Sequence, residues 1–227
     1  MPLSWKQQGV PIVGDAAGHF LGKSVAVSAN ARIMVIGAPW YKNNTGYVKV
    51  YQTNYDGNRV QLGQTIYGYP IDDYFGYSVD ISPDGITLVI GSPGYERPGY
   101  VRVFSLESTD DLDTGSWKQI GEDIIGEGIG DQFGYSVSLS EDGKTIAVGA
   151  WSNDGHGDES GHVRVYHIDD SGLSWLQVGE DIDGEAAYDY SGVSVSLSAD
   201  GKTVAIGSFW NDDNGLDSGH VRVFVVE

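Results

Sequence analysis

Two segments rich in Asn and Asp carry the side chains best suited to bind a metal ion. Each combines several oxygen ligands with glycine, which is the chemistry of a weak calcium site. The candidate ligands are Asn153, Asp154, Asp158 and Glu159 in one segment and Asn211, Asp212, Asp213 and Asp217 in the other. The alternative is a turn whose side chains cap their own backbone, and this is favoured because Asn, Asp and Gly are the usual turn residues. Calcium is the one cofactor that the sequence suggests.

Aromatic side chains suggest a second kind of site, because sugar rings stack on them. The candidate glycan-binding residues are Trp40, Tyr41, Tyr95, Trp151 and Trp210. One weak site in each repeat would make a multivalent lectin. The alternative is that such rings fill the gaps between packed units. The residues leave this choice open for the three tryptophans of the set.

A modification site is suggested by the tripeptide Asn43-Asn44-Thr45, which is an N-glycosylation sequon. Asn43 would carry the sugar if the protein is secreted by a eukaryote.

Catalysis is poorly supported by the histidines. His162 and His220 occupy one repeat position, which Tyr47 and Tyr100 take in the other units. A position that alternates between His and Tyr is not typical of a general base. The sequence also lacks a nucleophile elbow, a zinc motif and a phosphate-binding loop. We therefore expect no catalytic residues and no enzyme.

These side chains belong to a unit that recurs four times. Its markers are W-x-Q-x-G, a glycine before a strand, a Gly-Ala or Gly-Ser pair, and G-[YH]-V-[KR]-V-[YF]. The second marker falls at Gly22, Gly76, Gly134 and Gly192, with spacings of 54, 58 and 58 residues. Such a period indicates a stacked or radial array of units.

Each unit is predicted to contain four strands. An alternating strand ends at an Asp-Gly pair such as Asp142-Gly143, which favours a tight hairpin. A nearly apolar strand, a longer loop, the HVRVY strand and the SWKQIGEDI strand follow. The prediction is an all-β fold, a β-propeller of four four-stranded blades. It forms a single repeat domain, with units at approximately 4–57, 58–115, 116–173 and 174–227.

The phase of the repeat leaves one strand unassigned. The chain opens with strand four of a unit and ends with strand three, so residues 4–13 supply the outer strand that the last unit lacks. They can close a four-blade ring within the chain, which is the simpler expectation. They can also complete the blade of a neighbouring chain, which would give a filament or a larger ring. The residues expected to form this assembly strand are Trp5, Gln7, Val10 and Ile12.

The composition excludes some classes of binding partner. The 227 residues carry a net charge of −19 and include no cysteine. So acidic a surface repels nucleic acid and anionic membranes, and no apolar run approaches a membrane helix. The net charge is −3 over residues 1–113 and −16 over residues 114–227, which could favour head-to-tail contact, although solvated acidic loops are the simpler explanation.

The motifs resemble a known repeat. FGYSV at Phe75–Val79 and Phe133–Val137, followed by Gly149-Ala150 or Gly37-Ala38-Pro39, is similar to the FG-GAP repeat of integrin-α-type propellers. The fuller pattern resembles a subfamily of extracellular proteins in algae and marine bacteria. One departure is clear: the hairpins at 82–85, 140–143 and 198–201 lack the integrin calcium loop. One or two carboxylates on a tight turn do not supply the oxygen ligands that calcium takes, so we expect no calcium at those turns.

The resemblance implies an acidic extracellular or cell-surface glycoprotein, as a mature chain or an excised domain, since no signal peptide is visible. Its expected role is that of a non-enzymatic structural or adhesion module. The expected partners are other copies of itself, matrix or cell-surface proteins, and glycans. The alternative function is the multivalent lectin.

Overall fold

The computed structural model describes residues 3–69, 71–107 and 115–226. Its strands form four antiparallel sheets, one for each sequence repeat. The first sheet contains β1 (Ser24–Val27), β2 (Ile33–Ala38), β3 (Tyr47–Thr53), β4 (Arg59–Gln61) and β5 (Ile66–Tyr67). The second contains β6 (Ser78–Ile81), β7 (Thr87–Ser92), β8 (Tyr100–Glu107), β9 (Ser116–Gln119) and β10 (Ile124–Ile125).

The third and fourth sheets differ in the number of strands. The third contains β11 (Ser136–Leu139), β12 (Thr145–Ala150), β13 (His162–Ile168), β14 (Trp175–Gln177) and β15 (Ile182–Asp183). The fourth contains only β16 (Ser194–Leu197), β17 (Thr203–Ser208) and β18 (His220–Val225) among the described residues. One helical turn, α1 (Tyr41–Asn44), follows β2. The predicted all-β fold of four propeller blades is confirmed.

A hairpin turn forms at each predicted Asp-Gly pair, but the pair is not a two-residue turn with both residues at positive φ. In the third sheet Leu139 pairs with Ile146 and the Ser140 amide donates to the Thr145 carbonyl, so the connection is residues 141–144, and only the glycine has positive φ. In the third sheet the Ser140 hydroxyl donates to Asp142 Oδ1 at 2.6 Å, and the Lys144 amide donates to the same oxygen at 3.0 Å. Gly143 follows with φ of 70°, a conformation that glycine adopts without strain. The same Ser–Asp hydrogen bond recurs at residues 82–84 and 198–200.

The fourth predicted strand of a unit is in fact two short segments. In the second sheet β9 and β10 both pair with β8, and Gly121 between them has φ of 73°. Both segments therefore lie along the outer edge of a single strand. The apolar alternation of SWKQIGEDI did not reveal this break.

The sheets pack face to face in chain order, so the cores lie between blades. β1 packs on β6, β6 on β11, and β11 on β16. The first such core joins Val48 and Val50 of unit one to Leu88, Ile90 and other apolar side chains of unit two. Two further cores join units two and three and units three and four.

The predicted closing strand is not paired within the chain. Residues 4–13 lie in no strand, and most of them are exposed. Ring closure within one chain is therefore absent from the described residues, and completion of a neighbour's blade remains a prediction. In the part of the chain that the structure describes, no helix is long and apolar enough to cross a membrane.

Candidate functional site

One glycine contact holds each blade against the next. A methyl group at Gly91 of unit two would lie 2.1 Å from the carbonyl oxygen of Gly134 in unit three. The same oxygen accepts a hydrogen bond from the Ser78 hydroxyl at 2.8 Å. The contact is repeated between units one and two and between units three and four. Successive blades are thus joined in a single geometry.

The two ends of the array present this contact without a partner blade. On unit four, Val221 and Val223 are 69% and 61% exposed, whereas Val101 and Val103 at the same positions of unit two are buried. At Gly207 of unit four, a methyl group would be close only to Ser194 among the described residues. The outgoing face of unit four is therefore open.

The incoming face of unit one is open in the same way. Val25 and Val27 of β1 are exposed, while Ile81 and Leu139, which match Val27 in units two and three, are buried. No described atom lies within 4 Å of a methyl group placed at Gly22, the counterpart of Gly134. Among the described residues, the array of blades is therefore open at both ends.

A tryptophan closes the outer side of two of the three internal blade contacts. Trp117 of β9 is 3% exposed, and its indole N–H donates at 3.1 Å to the carbonyl of Leu62, which follows β4 of the first sheet. Gly63 makes room for the indole, since a methyl group there would lie 2.9 Å from the Trp117 ring. Trp175 of β14 repeats this contact at Ile120 and Gly121.

The third such position is a cavity instead of a tryptophan site. Val178 and Gly179 take the places of Leu62 and Gly63, and no described atom lies within 4 Å of a methyl group at Gly179. A cavity of about 210 Å³ lies beside them. Its lining includes Val165, Val178, Gly179, Leu197, Val204 and Phe224.

Trp5 is the one tryptophan of the W-x-Q-x-G marker that has no such site. Its side chain is fully exposed. In β9 and β14, Gln119 and Gln177 pair with Phe104 and Tyr166. The same register would place Gln7 opposite Phe224 of β18, Trp5 opposite Val226, and the Trp5 indole at the cavity.

Comparison with known proteins agrees with this repeat geometry. A family model described as FG-GAP repeat matches residues 128–166 and 182–224. These two segments of the chain, in the third and fourth repeats, are therefore similar to the FG-GAP repeat. No curated protein sequence matches the chain.

The four blades also resemble solved structures. A candidate 6-phosphogluconolactonase from Bacteroides uniformis superposes with a TM-score of 0.59 at 13% identity, covering 90% of this chain and 50% of that one. The hydrazine synthase of Kuenenia stuttgartiensis gives a TM-score of 0.53 at 15% identity, covering 89% and 58%. Both are β-propellers, and this chain spans half to three-fifths of their length. At such identities the likeness establishes the fold.

The loop carboxylates predicted as calcium ligands are engaged within the protein. Asp154 Oδ1 accepts from the Glu159 amide at 2.8 Å, Asp158 accepts from the Tyr188 hydroxyl, and Glu159 accepts from the Tyr190 hydroxyl at 2.9 Å. Asn153 accepts from the backbone amide of its own loop. These contacts favour the turn interpretation.

The second calcium candidate loop repeats the arrangement. Asp212 Oδ1 accepts from the Asp217 amide at 2.7 Å, and Asn211 Oδ1 accepts from the Asp213 amide at 3.0 Å. The calcium prediction for both loops stays a prediction.

An ion-pair network that the sequence did not single out lies beside the first loop. Arg164 donates two hydrogen bonds to Asp181 and one to Glu127. Hydrogen bonding to Arg164 lowers the pKa of both carboxyl groups. The Glu127, His162 and Asp181 side chains converge closely enough to suggest a metal site. The Arg164 guanidinium already pairs with both carboxylates, so we interpret the cluster as an ion-pair network that stabilises the fold.

Two of the sequence markers could have predicted this network, because each marker contributes one residue of the ion pair. The basic residue of G-[YH]-V-[KR]-V-[YF] pairs with the Asp that follows W-x-Q-x-G. Arg102 and Asp123 form the same pair in unit two, with both hydrogen bonds at 2.8 Å.

The aromatic candidates for glycan binding mostly pack against other rings. Trp40 contacts Tyr74 and Tyr77 of unit two, and Trp151 contacts Tyr190 of unit four at 4.7 Å between ring centroids. Tyr41 and Trp210 also pack on other rings, although Trp210 is 45% exposed. Among the five candidates, Tyr95 is the most exposed. The described residues therefore offer no surface of unpacked aromatic rings that repeats in every blade, as a multivalent lectin would need.

The glycosylation candidate has an accessible position. Asn43 is exposed in the short α1 segment. Its modification stays a prediction.

Proposed function

We propose that this chain is a non-enzymatic structural or adhesion module that assembles head to tail. Residues 4–13 of one copy complete the fourth blade of the next. The observation that carries the proposal is the cavity beside Val178 and Gly179, which repeats the sites of Trp117 and Trp175 but holds no described side chain.

The spacing of residues 4–13 matches the edge of β18, which has no partner strand among the described residues. Gln61, Gln119 and Gln177 each precede by five residues the Ile that starts β5, β10 and β15. Gln7 precedes Ile12 by the same interval. Ile12 would therefore pair with Val221, as Ile182 pairs with Val163.

The proposed strand also brings the next blade into position. Ten residues separate Ile124 from Gly134, and ten separate Ile12 from Gly22. A copy whose strand completes unit four would therefore place its Gly22 at Gly207. The Ser194 hydroxyl would then reach the Gly22 carbonyl, as Ser136 reaches Gly192 at 2.7 Å.

Energetic magnitudes indicate that the strand and the blade face must act together. Burial of one indole contributes roughly 4–6 kcal/mol. Ordering the backbone of residues 4–13 costs about 10–20 kcal/mol. Trp5 alone cannot offset that cost. The open valine faces of units one and four, and the backbone hydrogen bonds to β18, are therefore needed as well.

The likeness to part of a longer propeller supports a small closed assembly. The four blades superpose on half of the longer propeller from Bacteroides uniformis. An array that takes up about half of a ring would be completed by a second copy. We therefore expect two chains in a closed ring, while a filament would use the same contacts at a different angle.

Location and outside partners are proposed on the family resemblance. An extracellular or cell-surface setting agrees with the exposed Asn43 sequon. Matrix and cell-surface proteins are the expected partners besides other copies of the chain.

The native mass of purified variants tests the assembly. Wild type is expected as a dimer or larger species, and Trp5→Ala and Val223→Lys as monomers with an unchanged far-UV spectrum. Tyr95→Ala, which removes an exposed aromatic ring of unit two, is the matched control and should assemble as wild type does. A wild-type monomer, or assembly that survives both substitutions, would contradict the proposal.

A further inference from the structure

Asp73 is a buried carboxylate of unit two that lacks a well-formed hydrogen bond. Its side chain is 1% exposed, and neither of its oxygens has a partner at hydrogen-bond geometry among the described residues, although the Tyr100 hydroxyl is near enough to offset part of the rise in its pKa that burial causes. The nearest paired cation is Arg97, whose Nε lies 3.5 Å from Asp73 Oδ1. A buried acceptor that is left unsatisfied is costly, so its retention requires a physical reason.

The same repeat position is satisfied in unit three. Asp131 Oδ2 accepts from the Asn153 amide at 2.7 Å and from the backbone amide of Gly128 at 3.1 Å. Unit two lacks both donors. Its loop 93–98 contains no Asn, and the residue at the Gly128 position is Pro70, which lies outside the described residues and has no N–H. Asp131 therefore anchors a loop in unit three, whereas Asp73, at the same repeat position of unit two, keeps its capacity to accept hydrogen bonds from a ligand.

Asp73 faces a cavity of about 240 Å³. The cavity is also lined by Tyr69, Arg97, Tyr100, Arg102 and Ile125. This volume is smaller than that of a pocket for a drug-sized ligand, and it suits a single small ring.

The charges around the cavity balance. Arg102 is paired with Asp123 through two hydrogen bonds of 2.8 Å, so its charge is neutralised. Arg97 stands opposite Asp73. A cation in the cavity would meet two guanidinium groups, and an anion would meet two carboxylates. The cavity therefore favours a neutral ligand that both donates and accepts hydrogen bonds.

The cavity also offers an aromatic surface. Tyr69 is 65% exposed, and the guanidinium of Arg102 lies 4.2 Å from its ring centroid and supports it. Ile125 adds an exposed apolar side chain. Such surfaces suit the C–H face of a sugar ring, while Asp73 and Arg97 suit its hydroxyl groups.

We propose that this cavity is a saccharide-binding site for one neutral sugar ring, in which adjacent hydroxyls donate to Asp73 and a ring or hydroxyl oxygen accepts from Arg97. The site exists in unit two alone among the described blades, so it differs from a lectin surface repeated in every blade. It is independent of the assembly contacts.

Saturation-transfer NMR with neutral monosaccharides tests the site. The probes are D-glucose, D-galactose, D-mannose, L-fucose and N-acetyl-D-glucosamine, with methylammonium and acetate as charged probes. At least one sugar is expected to bind wild type at one site per chain, and Asp73→Asn is expected to weaken that binding at least tenfold. The Val223→Lys variant should bind the same sugar as wild type does, which separates this test from that of assembly.

Asp131→Asn is the matched control, because it changes the same repeat position where the carboxylate is satisfied. It should lower the melting temperature and leave sugar binding unchanged. Asp73→Asn should leave the melting temperature unchanged or raise it, since it removes a buried charge that lacks a well-formed hydrogen bond. If Asp73→Asn does not fold, Arg97→Ala, which alters a side chain at the mouth of the cavity, should weaken binding severalfold.

Three results would overturn the proposal. The first is that no sugar of the panel binds wild type. The second is that a charged probe binds in preference to every sugar. The third is that Asp73→Asn or Arg97→Ala binds sugar as wild type does.

Discussion

Trp5 and Trp117 have the same place in the repeat and opposite surroundings. Trp117 is buried between two blades, with its indole N–H bonded to Leu62, while Trp5 is fully exposed. Substitution of Trp117 therefore reports on the stability of the fold, whereas substitution of Trp5 reports on the assembly of copies.

We predict that Trp117→Ala lowers the free energy of unfolding by about 3–5 kcal/mol, since a large buried side chain is lost from a packed core. Trp5→Ala should change it by less than about 0.5 kcal/mol when both are measured in the Val223→Lys background. Urea denaturation followed by circular dichroism measures both. Equal losses would show that Trp5 is already buried in its own chain.

The sequence predicted contacts between residues that are close in the chain better than contacts between distant segments. The Ser-x-Asp-Gly turns were predicted because the Ser140–Asp142 contact lies within four residues. Asp73 was not found, because its state depends on the absence of donors from a loop twenty residues away. The aromatic candidates were mostly residues packed between blades, and composition alone could not distinguish packed rings from free ones.

At the scale of the blade, the glycine contact is the element that sets the spacing. Gly149 touches the carbonyl of Gly192 in the next blade, whereas Gly207 has no next blade among the described residues. The same substitution at these two positions should therefore have different consequences.

We predict that Gly149→Ala destabilises the fold strongly, because its methyl group would lie 2.0 Å from the Gly192 carbonyl oxygen. Among the described residues, the methyl group of Gly207→Ala would clash only with the Ser194 hydroxyl oxygen, which can rotate away, so the melting temperature of the monomer should be nearly unchanged. The substitution should nevertheless abolish head-to-tail assembly. Thermal denaturation and native mass together measure this, and assembly by Gly207→Ala would contradict the proposed contact.

The sequence predicted the number and order of the elements and missed their detail. Each unit was expected to contain four strands, and the outer one is split at a glycine such as Gly121. Periodicity reports which face of a strand is apolar, and both halves of the split strand keep that face. The break therefore left no mark on the alternation.

At the scale of the whole molecule, acid should weaken the fold through its Arg–carboxylate networks. Hydrogen bonding to Arg164 lowers the pKa of Asp181 and Glu127 from ordinary values of 3.8 and 4.5. Such groups stabilise the folded state above their ordinary pKa, and this contribution is lost as the pH falls through the folded-state pKa.

We predict that Asp181→Asn lowers the melting temperature at pH 7 and reduces its dependence on pH below 4. Asp73 and Asp80 oppose this trend, because burial raises the pKa of both and favours their protonated forms in the folded state. Thermal denaturation from pH 7 to pH 3 is the measurement. An unchanged pH profile in Asp181→Asn would exclude the network as a source of acid sensitivity.

The open array of blades is the feature of the whole molecule that the sequence left undecided. The repeat phase predicted residues 4–13 as a spare strand, but it could not distinguish closure within the chain from closure between chains. That choice depends on the angle between successive blades, which follows from the packing of three interblade cores. In the structure the two end faces remain exposed.

Disulfide cross-linking between two different single variants tests the central claim most directly, because the chain contains no cysteine. In the proposed register Lys6 lies opposite Val225, as Leu176 lies opposite His167. Lys6→Cys mixed with Val225→Cys should give a cross-linked dimer under mild oxidation, and Lys6→Cys mixed with Tyr95→Cys should not. The absence of a cross-link in the first mixture, or an equal yield of cross-link in the second mixture, would contradict strand exchange between copies.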